Sequence, residues 1–253
     1  MSRLFDDAAS EYLERDSAVI SGVPFSMACW FYADEGTLNK EAMSVSNKDV
    51  SNHYHRLRIH SAENVRARSQ QGGNDHQAIS TTTFTLNTWN HACGVWTSRN
   101  NRAAFLNGGG KGTDTGDAVP ANLDRTSIGR IGDSTPGEHM SGRIAEAAIW
   151  NVALTDSEVQ ALASGVSPLR VRVASLQAYW PLFAITGDAP DYSGGANTLT
   201  DNNTVGIADH APVGPMFAFP SGWQGAFNAA AAAGGLNIPV AMHAYRQRHQ
   251  SVV

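Results

Sequence analysis

The residues of this chain that could do chemistry are thinly spread. Asp188 and Asp191, in TGDAPDYSGG, could offer oxygen ligands to calcium, and so could Asp114 and Asp117, in GGKGTDTGD. Asp beside Gly also builds turns by accepting from its own backbone, and neither loop has the dense acid spacing of a dedicated calcium loop. The turn reading is the simpler one, with Asp188 and Asp191 the better metal pair. His53 and His55 lie two apart and share a strand face, yet no third zinc ligand stands near them. They read as solvated or hydrogen-bonded strand histidines. Tyr54, His76 and Tyr192, with Asn52, His53 and Asn74, fall where rim loops are expected and suit a sugar. An exposed ring stacks on the C–H face of a pyranose, while amides and carboxylates take its hydroxyls. No nucleophile elbow, H-E-x-x-H pair or P-loop occurs. The sequence demands no cofactor, and calcium is the one metal for which it offers candidate ligands.

Alternating apolar patterns supply the elements that would position these residues. Arg3–Phe5 and Glu11–Arg15 read as short strands. FSMACWFYA follows, with Phe25, Met27, Cys29 and Phe31 on one face and Ser26, Ala28, Trp30 and Tyr32 on the other. Both faces carry bulk, which predicts a central strand covered on both sides. Further strands are expected at Glu41–Ser46, Tyr54–His60 and Val65–Ser69. The polar stretch 70–77 reads as a turn. Trp89 opens another strand, Arg102–Leu106 pairs with it, and Asn107-Gly108 is a hairpin turn signal. GGGKGTDTGD reads as a flexible loop. Strands follow at Ser127–Ile131, Gly142–Asn151 and Leu176–Leu182. Glu146 reads as facing solvent or capping a neighbour. Thr155 and Glu158 form a capping box that starts a short helix packing Val159 and Leu162. Cys29 and Cys93 each sit mid-strand and read as buried apolar residues; a bridge requires those two strands to be neighbours. Trp30, Trp89, Trp96, Trp150 and Trp180 read as core or sheet-face residues.

The segments WNHACGVWTSRNNRAAFLNG and SIGRIGDSTPGEHMSGRIAEAAIWNVALTDSEVQAL together resemble the laminin-G-like, concanavalin-A-like jelly-roll family, in its pentraxin-related branch. The resemblance covers residues 3–208. The strand before DAPDYSGGANTLT more often opens the domain in that family, so this chain reads as permuted. The resemblance implies an all-β antiparallel jelly-roll sandwich, used mostly as a platform for binding and assembly, in some relatives with calcium at the rim. Glucanases of similar fold carry E-x-D-x-x-E on one strand, which sets two carboxylates about 5 Å apart. Here Glu138, Glu146, Asp156 and Glu158 are scattered over a loop, a strand and a helix start. The chain is therefore expected not to be an enzyme.

The bulk properties agree with an all-β domain: 24 glycines and only 16% charged residues. A net charge of −5 gives no basic footprint for nucleic acid, and no apolar run is long enough to span a membrane. The N-terminus lacks the apolar stretch of a signal peptide. Residues 1–208 are assigned to the sandwich and 209–253 to an extended C-terminal arm. Phe217, Phe219, Trp223 and Phe227 of that arm must bury somewhere, and Arg246 and Arg248 follow an apolar run. These features set the leading expectation: a non-enzymatic virion or surface-assembly protein of the kind found in phage structural proteins. It would be made in the cytoplasm, oligomerise with itself, and dock its arm on other particle or appendage subunits. The alternative is a carbohydrate-binding module, with or without calcium, of a cell-surface or secreted system.

Overall fold

A computed structural model describes residues 2–37, 39–183 and 186–213. Two antiparallel sheets form a sandwich. The first contains β1 (Ser2–Phe5), β3 (Phe25–Ala33), β8 (Trp89–Ser98), β9 (Asn101–Leu106), β10 (Gly109–Asp114), β12 (Gly142–Trp150), β13 (Leu176–Trp180) and β15 (Gly206–Ala208). Its order is β10-β9-β8-β3-β12-β1-β15, with β13 also on β12. The second contains β2 (Tyr12–Arg15), β4 (Lys40–Ser46), β5 (His53–His60), β6 (Asn64–Gln71), β7 (Asn74–Ile79), β11 (Arg125–Ile128) and β14 (Thr200–Asn202), in the order β14-β2-β11-β4-β5-β6-β7. The described ends of the chain meet where β1 pairs with β15.

Strand β3 lies between β8 and β12 and is buried on both sides, as its two apolar faces predict. Phe25, Met27, Cys29 and Phe31 point into the core between the sheets, and each such fully buried side chain stabilises by roughly 2 kcal/mol. Trp96 stacks on Phe25 at 4.5 Å and donates from Nε1 to Ser69 Oγ on β6 at 2.8 Å, tying one sheet to the other. Gly94 makes room for that indole, because a Cβ there would lie 2.6 Å from the ring. On the outer side of the first sheet, α1 (Asp156–Ala163) buries Val159 and Leu162 with Phe105, Trp150 and Tyr179. Its capping box is present, Thr155 Oγ1 accepting from the Glu158 amide and Glu158 accepting from the Thr155 amide.

Two sequence expectations about strands are corrected. The stretch 70–77 is a hairpin, not a turn: β6 runs on to Gln71, Gly72-Gly73 turns, and β7 returns as the last strand of its sheet. The Gly/Asp-rich stretch after Asn107 contains β10, the last strand of the other sheet. Both were hidden by polar or glycine-rich composition, which a sheet edge tolerates. Cys29 and Cys93 are buried, as read from the sequence, and although their strands are neighbours they are free thiols. The register sets Ala28 opposite Cys93 and Cys29 opposite Ala92, so the two sulfurs leave opposite faces of the sheet.

Candidate functional site

The segment that leaves β13 carries the most distinctive exposed chemistry of the described residues. Pro181 cannot donate to a ladder and ends the strand. Leu182 then adopts a left-handed backbone, φ 57°, and buries its own side chain. That turn throws Phe183 outward, where it is 41% exposed beside Tyr192 at 47%. The two rings meet edge-to-face, 6.3 Å apart at 77°. Pro181, Ala189, Pro190 and Arg3 line the shallow notch between them.

The platform is held from behind. Tyr192 N–H donates to Tyr179 O at 2.8 Å, and Tyr179 N–H donates to Asp191 Oδ1 at 2.9 Å. Asp191 also accepts from the amides of Ser193 and Asn197 and from Ser193 Oγ. Burial pushes its carboxyl up, but these amide donors outweigh burial and hold it below the usual carboxylate range. Asn197 closes the loop by accepting from Trp180 Nε1 at 2.7 Å and donating to Gln177 O at 2.8 Å. From β1, Arg3 donates to Gly187 O and pairs with Asp201.

A buried polar group lies beneath. A bulge in β12 gives Glu146 a φ of 55° and turns its carboxylate inward, where it is 4% exposed rather than facing solvent. Tyr179 Oη donates to Glu146 Oε2 at 2.6 Å, and His210 Nε2 reaches Oε1 at 3.2 Å. Burial, then the Glu146 charge, push the Tyr179 phenol up. Burial opposes the charged form of His210, but hydrogen bonding to Glu146 wins and raises its pKa. Its ring tilts against Phe183 at 5.4 Å, so the polar group buttresses the platform.

The residues named from the sequence do not converge on one place. Tyr192 is in the platform. Tyr54 is not a rim aromatic: it is 3% exposed, with the Arg56 guanidinium 4.6 Å over its ring and its hydroxyl donating to Gln70. His76 lies on β7 with its ring against Gly116. Asp188 accepts from the Asp201 amide and does not join Asp191 in a ligand set. N–H donors aimed at Asp191 occupy the lone pairs a cation would need. Asp114 and Asp117 pair with Arg102 and Arg99. His55 is buried, its Nδ1 2.8 Å from Ser69 Oγ, whereas the Nδ1 of His53 meets Ser51 O at 3.0 Å. Among the described residues no group of three His, Cys, Asp or Glu side chains could hold a metal. Phe217, Phe219, Trp223, Phe227, Arg246 and Arg248 lie outside the described residues. Phe183, Glu146 and His210 were not picked from the sequence. The one available signal was Pro181, which ends the apolar run YWPLF as a strand before Phe183.

The second sheet offers another concavity, a polar cleft of about 310 Å³ lined by Glu14, Arg15, Asp16, Arg125, Thr200 and Asn202. Its acids are engaged: Glu14 accepts from Arg130 and Ser127, and Asp16 pairs with Arg125. Glu41 and Glu138 share Arg56 Nη1 at 3.0 and 3.1 Å. Burial pushes the Glu41 carboxyl up to about 8, only partly countered by Arg56. Two carboxyls that close together are also a hydrolase pattern, but Glu41 is 0% exposed and no substrate can touch it.

The profile of the concanavalin A-like lectin/glucanases superfamily matches residues 7–160, more than half of the chain. The chain belongs to that superfamily. Solved structures agree on the fold. The chain is similar to a Bacteroides ovatus protein to which carbohydrate binding has been ascribed, at 18% identity and a TM-score of 0.61, over 83% of this chain and 61% of that one. It thus spans less than two thirds of that protein's length. It is also similar to the heptameric SAP-like pentraxin of Limulus polyphemus (16% identity, TM-score 0.50, 60% of this chain and 75% of that one). A third likeness is to domain 4 of the extracellular arabinanase AbnA of Geobacillus stearothermophilus, solved with arabinotriose (15% identity, TM-score 0.51, 64% of this chain and 82% of that one). Among curated proteins no sequence matches. Within this superfamily fold, the platform sits on the segment after β13, outside the residues matched by the profile.

Proposed function

We propose that the protein is a non-catalytic saccharide-binding module that takes a neutral sugar ring on the Phe183–Tyr192 platform. The observation that carries this reading is the pair of exposed rings on a loop pinned by Asp191, Asn197 and Arg3. Exposed rings that touch each other form one contiguous apolar patch, the kind of surface on which a ligand stacks. A preorganised loop loses little entropy on binding, so the stacking energy goes into affinity. The similar structures support this alternative over particle assembly, since two of the three named above have a stated link to carbohydrate. The aromatic and basic residues on which the assembly reading rested lie outside the described residues.

The test is a calorimetric screen of neutral oligosaccharides, arabinotriose among them, with the full chain and with Tyr192→Ala and Phe183→Ala. Losing one stacked ring should weaken binding about 10-fold or more, because stacking contributes about 1 kcal/mol beyond the area buried. Neither ring is part of the buried core, so the fold should stay intact. Absence of binding across the screen, or binding indifferent to both substitutions, refutes the reading.

A further inference from the structure

The outer face of β5, β6 and β7 carries a charge arrangement that packing does not require. The register sets Arg56 opposite Arg68 and Arg58 opposite Arg66. Like charges directly opposite each other on neighbouring strands destabilise a sheet. Three of the four guanidinium groups have carboxylates. Arg56 and Arg58 donate to Glu138 at 3.1 and 2.6 Å, and Arg68 donates to Asp75 at 2.6 and 2.5 Å. Arg66 has none among the described residues. Its Nε donates to Asn64 Oδ1 at 2.9 Å, its Nη1 to Gln77 Oε1 at 3.2 Å, and its Nη2 meets His60 Nδ1 at 3.0 Å.

His60 reports the local potential. Burial first, then Arg66 and Arg58, push its imidazole down to about 4, so the ring beside Arg66 stays neutral. Burial pushes the carboxyl of Glu41, which accepts from Arg56, up to about 8, so it supplies less than a full negative charge at neutral pH. The face is thus locally cationic on a chain whose net charge is −5.

We propose that Arg66, flanked by Arg58 and Arg68, holds the anionic group of an acidic saccharide. The saccharide half of this inference rests on the function proposed above; the anion half does not. A half-buried guanidinium presents a planar fork that matches two oxygens of a carboxylate or sulfate. Gln77, whose Oε1 accepts from Arg66, has its amide N–H groups beside the guanidinium to meet a neighbouring hydroxyl. Ile79, opposite Arg66 on β7 and exposed, offers an apolar patch to a sugar ring. Asp75 and Glu138 flank the cationic spot, which disfavours a continuous polyanion such as a nucleic-acid backbone and suits a chain with separated charges.

The experiment compares trigalacturonate with its methyl ester, the same backbone without charge, by calorimetry and by NMR of the His60 ring in the full chain. Sodium sulfate is the third probe, and Arg66→Gln the variant, since glutamine keeps a polar group there without the charge. The expected result is at least a 10-fold preference for trigalacturonate, falling as salt rises. Its binding should raise the His60 pKa, and Arg66→Gln should abolish both effects with the melting temperature unchanged. Equal affinity for acid and ester, or a His60 pKa that no anion moves, overturns the inference. Equal affinity lost in Tyr192→Ala overturns it while leaving the platform reading intact. If sulfate raises the His60 pKa through Arg66 and no saccharide binds anywhere, the proposed function fails, and the saccharide half of this inference with it.

Discussion

Replacing His91 by Phe should flatten the acid sensitivity of the fold by a calculable amount. His91 is buried, its ring meets Trp30 edge-on at 5.4 Å, and its Nδ1 has no hydrogen-bond partner among the described residues. Burial pushes the imidazole down to about 3, against about 6.5 for a solvated histidine. The folded protein keeps this ring neutral at pH values where the unfolded chain takes up a proton. Stability from this ring is therefore complete above the unfolded pKa and is lost as pH falls toward the folded one. One proton difference is worth about 1.4 kcal/mol per pH unit, so His91 alone withdraws about 3 kcal/mol between pH 7 and pH 4. That is a large share of the roughly 5–15 kcal/mol that holds a domain together. His55 adds a second decline of the same sign, pushed down to about 3 by burial and then by Arg102. Glu41 runs the other way, because a carboxyl raised to about 8 favours the folded state as pH drops through its window. The wild-type curve is a sum, so the informative quantity is variant minus wild type. Any packing cost of the larger Phe ring beside Leu162 and Val166 is independent of pH and cancels in the slope. Urea titrations followed by tryptophan fluorescence at pH 7, 6, 5 and 4 should show that difference growing by about 3 kcal/mol in favour of the variant. A difference constant across the range would refute the burial argument.

Three further outcomes are expected. Gly112→Ala should abolish soluble folding or lower the melting temperature by more than 10 °C in a thermal scan, because a Cβ there would sit 1.6 Å from the Ile79 carbonyl oxygen, a backbone atom that cannot step aside. A variant that melts like wild type would show that β10 and β7 do not approach as described. Asp191→Ala should cost about 2 kcal/mol, since it strips the partners from three amides, and should weaken platform binding through the loop. Millimolar calcium should leave the wild-type melting temperature unchanged; a calcium-dependent rise lost in Asp191→Ala would restore the metal reading of Asp188 and Asp191.

Much of the sandwich is legible in the residues alone. The strand FSMACWFYA carries bulk at both parities, which only a strand covered on both sides can bury, and β3 is that strand. Thr155 and Glu158 announce α1, and Asn107-Gly108 announces the turn between β9 and β10. These are local signals, set by periodicity and by backbone preferences of a few residues. The edge strands β7 and β10 lack them, because an edge needs few apolar side chains and Gly112 is there for close approach rather than for strand propensity.

The site depended on contacts between segments distant in the chain. Tyr54 has the composition of a sugar-stacking residue, but the register that brings Arg68 beside Arg56 closes over its ring. The register of β6 with β7 sets Arg66 opposite Ile79, and among the described residues no carboxylate pairs with it. Cys29 and Cys93 both sit mid-strand, and a one-residue offset in pairing decides that they cannot bridge. Glu146 turns inward at a bulge in the pairing of β12 with β3, at the point where the other edge of β12 passes from β1 to β13. Periodicity along a strand tells which residues share a face. Which strand lies next to it, in what register, and what covers that face are set by long-range packing, and those three facts placed Phe183, Tyr192 and Arg66.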